Sequence, residues 1–135
     1  MKLIIHTDGG ARGNPGPAGI GVAISDEQGK VLEQHAEYLG ETTNNQAEYQ
    51  AAILALKRAV ALGATSVEIR ADSELLVRQA TGEYRVKNPD LAKRFLELKN
   101  LETQLHGKVV YRHIRREQNK LADKLSNDAM DKGWG

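Results

Sequence analysis

The sequence contains no cysteine, few aromatic residues and no large excess of either charge. The absence of cysteine excludes a disulfide framework and the common structural zinc sites. No apolar run is long enough to span a bilayer, and no signal-peptide core follows Met1. With 19 basic and 18 acidic residues the net charge is only +1, so the overall charge argues modestly against a nucleic-acid partner.

The chain of 135 residues is long enough for one domain with a substantial core. Its 40% hydrophobic and 27% charged residues are ordinary proportions for a globular protein. No internal repeat, low-complexity tract or linker divides the chain. We therefore expect a single domain over residues 1–135, soluble and cytoplasmic, monomeric and without a membrane partner.

The spacing of apolar residues predicts an α/β fold. Short apolar runs predict strands at 3–7, 20–24 and 31–39, with a loop over the Gly- and Pro-rich segment 9–19. A helical period then begins at residue 45, and either Thr43 or Asn44 can cap this helix. The further predicted elements are a helix at 45–62, a strand at 67–71, helices at 73–80 and 89–106, a strand at 109–114 and a helix at 119–130. This order predicts one mixed sheet with helices on its faces.

Four acidic residues, Asp8, Glu48, Asp72 and Asp123, lie far apart in sequence but within distinctive strings. These strings are HTDGGARGNPGP, TTNNQAEY, ADSELLV and EQNKLADKL. Acids brought together without basic partners repel one another, which raises their pKa values. Divalent cations remove that repulsion, and oxygen-only ligands favour magnesium or manganese over zinc. The four acids therefore predict a metal-dependent phosphoryl-transfer enzyme.

Three of these acids also have an ordinary structural explanation. Asp8, at the predicted end of the first strand, is a residue type that starts turns well. Glu48 suits a helix N-terminus, although it projects from the core-facing stripe, where an unpaired charge is costly. Asp72 is a good helix N-cap, but Ser73 can fill that position equally well. The pattern favours a functional role most clearly for Glu48.

The fourth acid is left open by the pattern alone. Leu121, Leu125 and Ala129 define the apolar stripe of the last predicted helix. Asp123 lies toward the polar flank of this stripe, where a solvated side chain is the ordinary expectation. Asp128 lies nearer the stripe, so helical periodicity by itself favours Asp128.

Taken together, five strings resemble ribonuclease H of type 1, in order along nearly the whole chain. They are TDGGARGNPGPAG, TTNNQAEY, ADSELLVRQ, VKNPDL and REQNKLAD. The resemblance implies a five-stranded mixed sheet of order 3-2-1-4-5. It implies endonucleolytic hydrolysis of the RNA strand of an RNA–DNA hybrid, leaving 3′-hydroxyl and 5′-phosphate ends. It also implies two Mg²⁺ ions, replaceable by Mn²⁺, on Asp8, Glu48, Asp72 and Asp123, and so favours Asp123 over Asp128.

The resemblance further implies a set of substrate contacts. Asn14, Asn44 and Asn45 would contact ribose or bases in the minor groove, where an amide can both donate and accept. Contact with the 2′-hydroxyl is what distinguishes RNA from DNA. Thr43 and Asn88 would hold a phosphate of the DNA strand. Asn14 is also a good turn residue, and Asn44 and Asn88 are good helix caps.

Three features depart from the pattern of many family members. Segment 114–119 is too short for a flexible loop with a histidine, and His113 is interpreted as a structural strand residue. Segment 82–87 stands in place of an additional helix and a basic handle, which predicts weaker and less salt-dependent binding of the hybrid. Glu41 stands where an arginine often lies beside the phosphate pocket.

These departures leave alternatives to a strict hybrid-specific enzyme. Double-stranded RNA is a possible second substrate. A catalytically weak module that binds hybrid or double-stranded RNA is the alternative from another functional class. A different nuclease on the same fold is a third, because a fold does not determine a substrate.

Overall fold

The computed structural model describes residues 1–134. The elements in chain order are β1 (Lys2–Ala11), β2 (Gly16–Ser25), β3 (Val31–Thr42), α1 (Asn44–Ala61), β4 (Ser66–Ala71), α2 (Glu74–Ala80), α3 (Pro89–Gln104), β5 (Val109–His113), a short 3-10 turn (Arg116–Gln118) and α4 (Lys120–Trp134). Within residues 1–134, none of the helices combines the length and apolar character needed to cross a membrane.

The five strands form one mixed sheet in the order β3-β2-β1-β4-β5. Strand β2 runs antiparallel to both β1 and β3, whereas β4 runs parallel to β1 and β5 runs parallel to β4. The predicted fold class and strand order are confirmed. Because Thr7 pairs with Ala71 in parallel strands, Asp8 and Asp72 occupy neighbouring positions at the same end of the sheet.

Helices α1 and α4 cover opposite faces of the sheet. Side chains alternate along a strand, so successive residues of β1 meet different helices. Asp8 contacts Ser126 of α4, and Gly9 faces the backbone of Ala47 in α1. The core includes large, fully buried side chains from several elements, namely Leu3, Ile5, Ile20, Tyr49, Leu56, Ile69, Leu76 and Leu98.

The Gly-rich segment 9–19, predicted to be a loop, is mostly β-structure. Strand β1 continues to Ala11 and β2 begins at Gly16, so only residues 12–15 form the turn between them. Asp8 therefore lies inside β1 and does not end it. The prediction was wrong because it took glycine as a sign of a turn, whereas here the missing side chains allow two helices to approach the strands.

Gly9 and Gly21 are the residues at which this close approach is clearest. A Cβ atom on Gly9 would overlap the backbone of Ala47, and one on Gly21 would overlap the backbone of Ala122 and Ser126. Gly21 is also the residue that pairs with Asp8 across β1 and β2. The space beside Asp8 is therefore filled by α4 instead of a cross-strand side chain.

The helix caps settle two alternatives that the sequence left open. Thr43 caps α1, since its hydroxyl oxygen accepts a backbone N–H of the first turn at 3.2 Å. Ser73 caps α2 in the same way at 3.2 Å, so Asp72 is not needed as a cap. Asn88 caps α3. Residues 81–88 between α2 and α3 contain no helix, which confirms the expected lack of the additional one.

Replacing Gly21 by Ala should destabilise the protein, because the added methyl group overlaps the backbone of α4. We expect the free energy of unfolding, measured by urea denaturation, to fall by about 1–3 kcal/mol. Gly10→Ala is the matched control, because a Cβ atom there would lie at an ordinary 3.7 Å from the nearest side-chain atom. A Gly21→Ala variant as stable as the wild type would contradict this account of α4 packing.

Candidate active site

Asp8, Glu48 and Asp72 meet at one end of the sheet. Each offers one carboxylate oxygen, and these three oxygens lie within 4.8 Å of one another. Strand β1 supplies Asp8, helix α1 supplies Glu48, and Asp72 directly follows β4. Three hard oxygen ligands at this spacing suit a divalent cation such as Mg²⁺.

Glu48 faces the other acids because α1 lies close to β1. Strand β4 ends at Ala71, which pairs with Thr7 of β1. Past the end of β4, the backbone amide of Gly9 donates a hydrogen bond to Oε1 of Glu48 at 2.9 Å. Burial raises the pKa of Glu48 well above its ordinary value, the charges of Asp8 and Asp72 raise it further, and the bond from Gly9 lowers it. Glu48 is therefore a poorly solvated acid held in place by one backbone donor.

Asp8 is buried between α4 and the neighbouring acids. Only 7% of the residue is exposed, and its Oδ2 accepts a hydrogen bond from Ser126 Oγ at 2.6 Å. Burial raises the pKa of Asp8 to about 7, and the charges of Asp72 and Asp123 add to the rise, whereas Ser126 and Arg116 lower it. Full ionisation of this cluster therefore requires either high pH or a neighbouring cation.

Asp123 lies in the first turn of α4 and lines the same cavity as the other three acids. Its Oδ1 is 3.6 Å from Nη2 of Arg116. Asp128, which helical periodicity favoured, pairs with Lys124 at 3.1 Å and does not line the cavity. Periodicity was a poor guide because it placed the buried stripe at Leu121, Leu125 and Ala129. The buried residues of α4 include Ala122, Ser126, Ala129 and Met130, and two of these, Ser126 and Met130, line the cavity together with Asp123.

The cavity is also lined by Arg115 and Arg116, which belong to a basic stretch beside the last acid, and by residues that the sequence pattern did not indicate, namely Arg12, His113 and Ser126. His113, interpreted from sequence as structural, ends β5 as an exposed residue and faces this cavity. Strand register could have indicated it, since His113 pairs with the residue before Asp72. No sequence signal marks Ser126, because its proximity to Asp8 depends on how α4 packs.

A second cavity lies beside the first turns of α1 and α3. Four of the predicted substrate contacts line it, namely Asn14, Thr43, Asn45 and Asn88. Lys93 and Arg94 of α3 line it as well, and the Nε of Arg94 donates to Gln46 Oε1 at 3.0 Å. The sequence pattern did not indicate these two cations, since their position depends on the packing of α3 against α1.

Asn44 lines the first cavity and is linked to Asn14 of the second. Its Oδ1 accepts the amide hydrogen of Ala11 at 2.7 Å, and its own backbone amide donates to Oδ1 of Asn14 at 3.1 Å. These bonds tie the β1–β2 turn to the start of α1. All nine residues predicted for catalysis and substrate binding thus line these two cavities, and their contact with nucleic acid stays a prediction.

Comparison with known proteins identifies the family. A family model described as Reverse transcriptase-like matches residues 6–129. A ribonuclease H of Lachnoclostridium phytofermentans is 34% identical in an alignment of 152 positions, which covers 98% of this chain and 94% of the relative. The chain belongs to the ribonuclease H family. The resemblance stated from the five strings is therefore confirmed.

Other relatives of this chain include both longer proteins and proteins of similar size. A bifunctional protein of Mycobacterium tuberculosis is 43% identical over 132 residues, or 97% of this chain, but the chain spans only 36% of that protein's length. Among solved structures, LC11 ribonuclease H1 in complex with an RNA/DNA hybrid matches with a TM-score of 0.95 and 49% identity. That match covers 98% of this chain and 99% of the other.

The protein without bound metal should lose stability as the pH rises. The pKa of Asp8 is raised from 3.8 to about 7 on folding, so between these values the folded protein binds more protons than the unfolded chain. Stability is then greatest below the lower value and falls as the pH rises through the upper one. We expect Asp8→Asn to flatten this fall and to stabilise the protein at pH 8 by roughly 1–3 kcal/mol.

Urea denaturation between pH 4 and pH 8 in the presence of a chelator measures this effect. Asp128→Asn is the matched control, because it removes an acid that lies outside the cluster and is 44% exposed. If the free energy of unfolding changes with pH in the same way for the wild type and for Asp8→Asn, the burial of Asp8 does not destabilise the protein at high pH.

Proposed function

We propose that this chain hydrolyses the RNA strand of RNA–DNA hybrids endonucleolytically and leaves 3′-hydroxyl and 5′-phosphate ends. The observation that carries this proposal is the cluster of Asp8, Glu48 and Asp72, with three carboxylate oxygens within 4.8 Å. Membership of the ribonuclease H family supports it, as does the similarity to LC11 ribonuclease H1, which binds an RNA/DNA hybrid.

The proposal assigns residues 1–135 to one monomeric ribonuclease H domain in the cytoplasm. The family match over residues 6–129 supports one domain, because it includes residues of every strand and helix. The five strands also share a single sheet. In the longer mycobacterial relatives, the matching region is about a third of the protein.

Two Mg²⁺ ions, replaceable by Mn²⁺, are the proposed cofactors, held by Asp8, Glu48, Asp72 and Asp123. The residues fit such ions, since the ligand set is oxygen only and its acids are close enough to repel one another. When bound, the ions lower the pKa of water for attack and neutralise charge that develops at the phosphate.

The protein's own contribution is to position the substrate and to balance charge around the acids. In-line displacement at phosphorus needs alignment and electrostatic stabilisation, and it needs no side-chain nucleophile. Arg12, Arg115 and Arg116 line the same cavity as the acids, with Arg12 paired to Asp131 at 2.6 Å, and a bound phosphate backbone would meet their positive charge. The formal net charge of +1 therefore understates the attraction at this surface, because the acids are concentrated where metal would neutralise them.

Recognition of the RNA strand is assigned to Asn14, Asn44 and Asn45. The side-chain oxygens of Asn14 and Asn44 each accept a backbone amide hydrogen, which orients both groups. Their NH₂ groups remain as donors, and a 2′-hydroxyl oxygen can accept from such a donor. The asparagines that anchor the turn are thus suited to contact ribose as well.

The DNA strand is assigned to the second cavity. Thr43 and Asn88 cap two helices there, and a helix N-terminus favours an anion such as phosphate. Lys93 and Arg94 add two positive charges beside these caps. Helix α3 thereby supplies positive charge to this pocket, where Glu41 stands in place of the arginine that many relatives have.

Cleavage of end-labelled substrates tests the proposed activity. With Mg²⁺, we expect cleavage of RNA in an RNA–DNA hybrid but not of single-stranded RNA or duplex DNA. Chelation of the metal should abolish it, and Asp8→Asn should lower the rate about 1,000-fold, because several kcal/mol of transition-state stabilisation are lost. Cleavage of double-stranded RNA as well would indicate relaxed specificity. Hybrid binding without cleavage, with Mg²⁺ or Mn²⁺, would contradict the proposal and support a binding module.

Removing the Arg94 guanidinium tests the second cavity. We expect Arg94→Ala to weaken hybrid binding and to make the slope of log affinity against log salt concentration shallower by about 1, because one phosphate contact is lost. The Asp8→Asn background prevents cleavage during the titration. Lys124→Ala is the control, since Lys124 lies outside both cavities. Equal slopes for Arg94→Ala and Lys124→Ala would remove Arg94 from the binding surface.

A further inference from the structure

Ser126 is a buried serine whose hydroxyl lies against the carboxylate of Asp8. The residue is 1% exposed, and its Oγ is 2.6 Å from Oδ2 of Asp8 and 3.0 Å from the carbonyl oxygen of Asp123. A serine in a helix often bonds to a carbonyl of the preceding turn, so the contact with Asp123 alone would be unremarkable in structural terms. The contact with Asp8 is different, because it joins α4 to an acid on β1.

The single hydroxyl hydrogen of Ser126 cannot serve both acceptors at once. The distance to Asp8 is shorter, and bonds to a carboxylate are stronger than bonds to a neutral carbonyl. The carbonyl of Asp123 also accepts from Asn127 Nδ2 at 2.9 Å, so it retains a donor when Ser126 bonds to Asp8. These contacts assign the hydroxyl hydrogen to Asp8 when that acid is ionised.

We infer that Ser126 is a positioning residue that orients the Asp8 carboxylate for binding a divalent cation. This inference rests on the proposed function, because it concerns the metal-binding role of Asp8. A carboxylate held at one oxygen by a fixed donor loses its freedom to rotate, and such outer bonds orient metal ligands in proteins generally. Glu48 is held in a comparable way, by the Gly9 amide at 2.9 Å.

The packing around Gly21 explains why this serine reaches Asp8. Gly21 pairs with Asp8 across the two strands, and the place where its side chain would stand is filled by the backbone of α4 at Ala122 and Ser126. A larger residue at position 21 would hold α4 away from β1. The bond between Ser126 and Asp8 therefore depends on a specific feature of the sheet and does not follow from helix geometry alone.

Calorimetric titration of Mn²⁺ into the Ser126→Ala variant tests the inference. We expect its metal affinity to fall about 10-fold, because loss of an outer-shell partner typically weakens binding by that order. With the hybrid and Mg²⁺, kcat should fall while KM stays unchanged, since Ser126 acts on Asp8 and not on the substrate. Ser66→Ala is the matched control, because it removes a serine hydroxyl at the first residue of β4, the end of that strand farther from Asp72.

Unchanged Mn²⁺ affinity in Ser126→Ala, or an equal loss in Ser66→Ala, would overturn the inference. A loss of stability in chelator without a change in metal affinity would also overturn it, since that result indicates a purely structural role. If Ser126→Ala does not fold, Ser126→Cys provides a similar side chain with a weaker donor, and its Mn²⁺ affinity should fall.

The titration requires no nucleic acid, so the two proposals can fail separately. Weakened Mn²⁺ binding by the variant, with a wild type that does not cleave the hybrid, would refute the proposed function but support the role of Ser126. Hybrid cleavage by a wild type whose Ser126→Ala variant binds Mn²⁺ equally well would refute only the role of Ser126.

Discussion

The site depends on the close approach of two helices to β1 and β2 from opposite faces of the sheet. Gly9 allows α1 to approach on one face, and Gly21 allows α4 to approach on the other. Asp8 lies next to Gly9 in sequence and opposite Gly21 in the sheet. Protein interiors pack densely, so side chains at these positions would displace the helices. Glu48 and Ser126 reach Asp8 only because those side chains are absent.

The same packing places negative charges where water cannot stabilise them well. Burial and mutual repulsion raise the pKa values of Asp8 and Glu48, and one hydrogen bond to each acid offsets only part of this cost. Such local destabilisation is typical of functional sites, where the surrounding structure holds groups in an unfavourable arrangement. The antiparallel hairpin, the parallel strand β4 and two packed helices together provide that support. A divalent cation bound between the acids would attract the carboxylates and so favour their ionised forms.

Much of the fold was predictable because strong local signals agreed with the tertiary structure. Alternating or continuous apolar runs indicated the strands, and a helical stripe indicated both α1 and the inward direction of Glu48. The Gly-rich segment 9–19 was predicted wrongly, since glycine permits a turn and permits close packing equally well. Periodicity also favoured Asp128, because the leucines that defined the predicted stripe of α4 are only partly buried, whereas the smaller Ala122 and Ser126 are the residues that meet the sheet.

The order of the secondary-structure elements and the family could be predicted from the sequence, because they depend on local patterns and on short motifs. The same motifs selected four acids that line one cavity, and their role in catalysis stays a prediction. Which residues surround those acids could be seen only in the folded chain. Ser126 and His113 lie far in sequence from Asp8, as Arg94 does from Gln46, and no local spacing relates the members of these pairs. Their positions follow from how α4, β5 and α3 pack, and packing is a property of the whole chain.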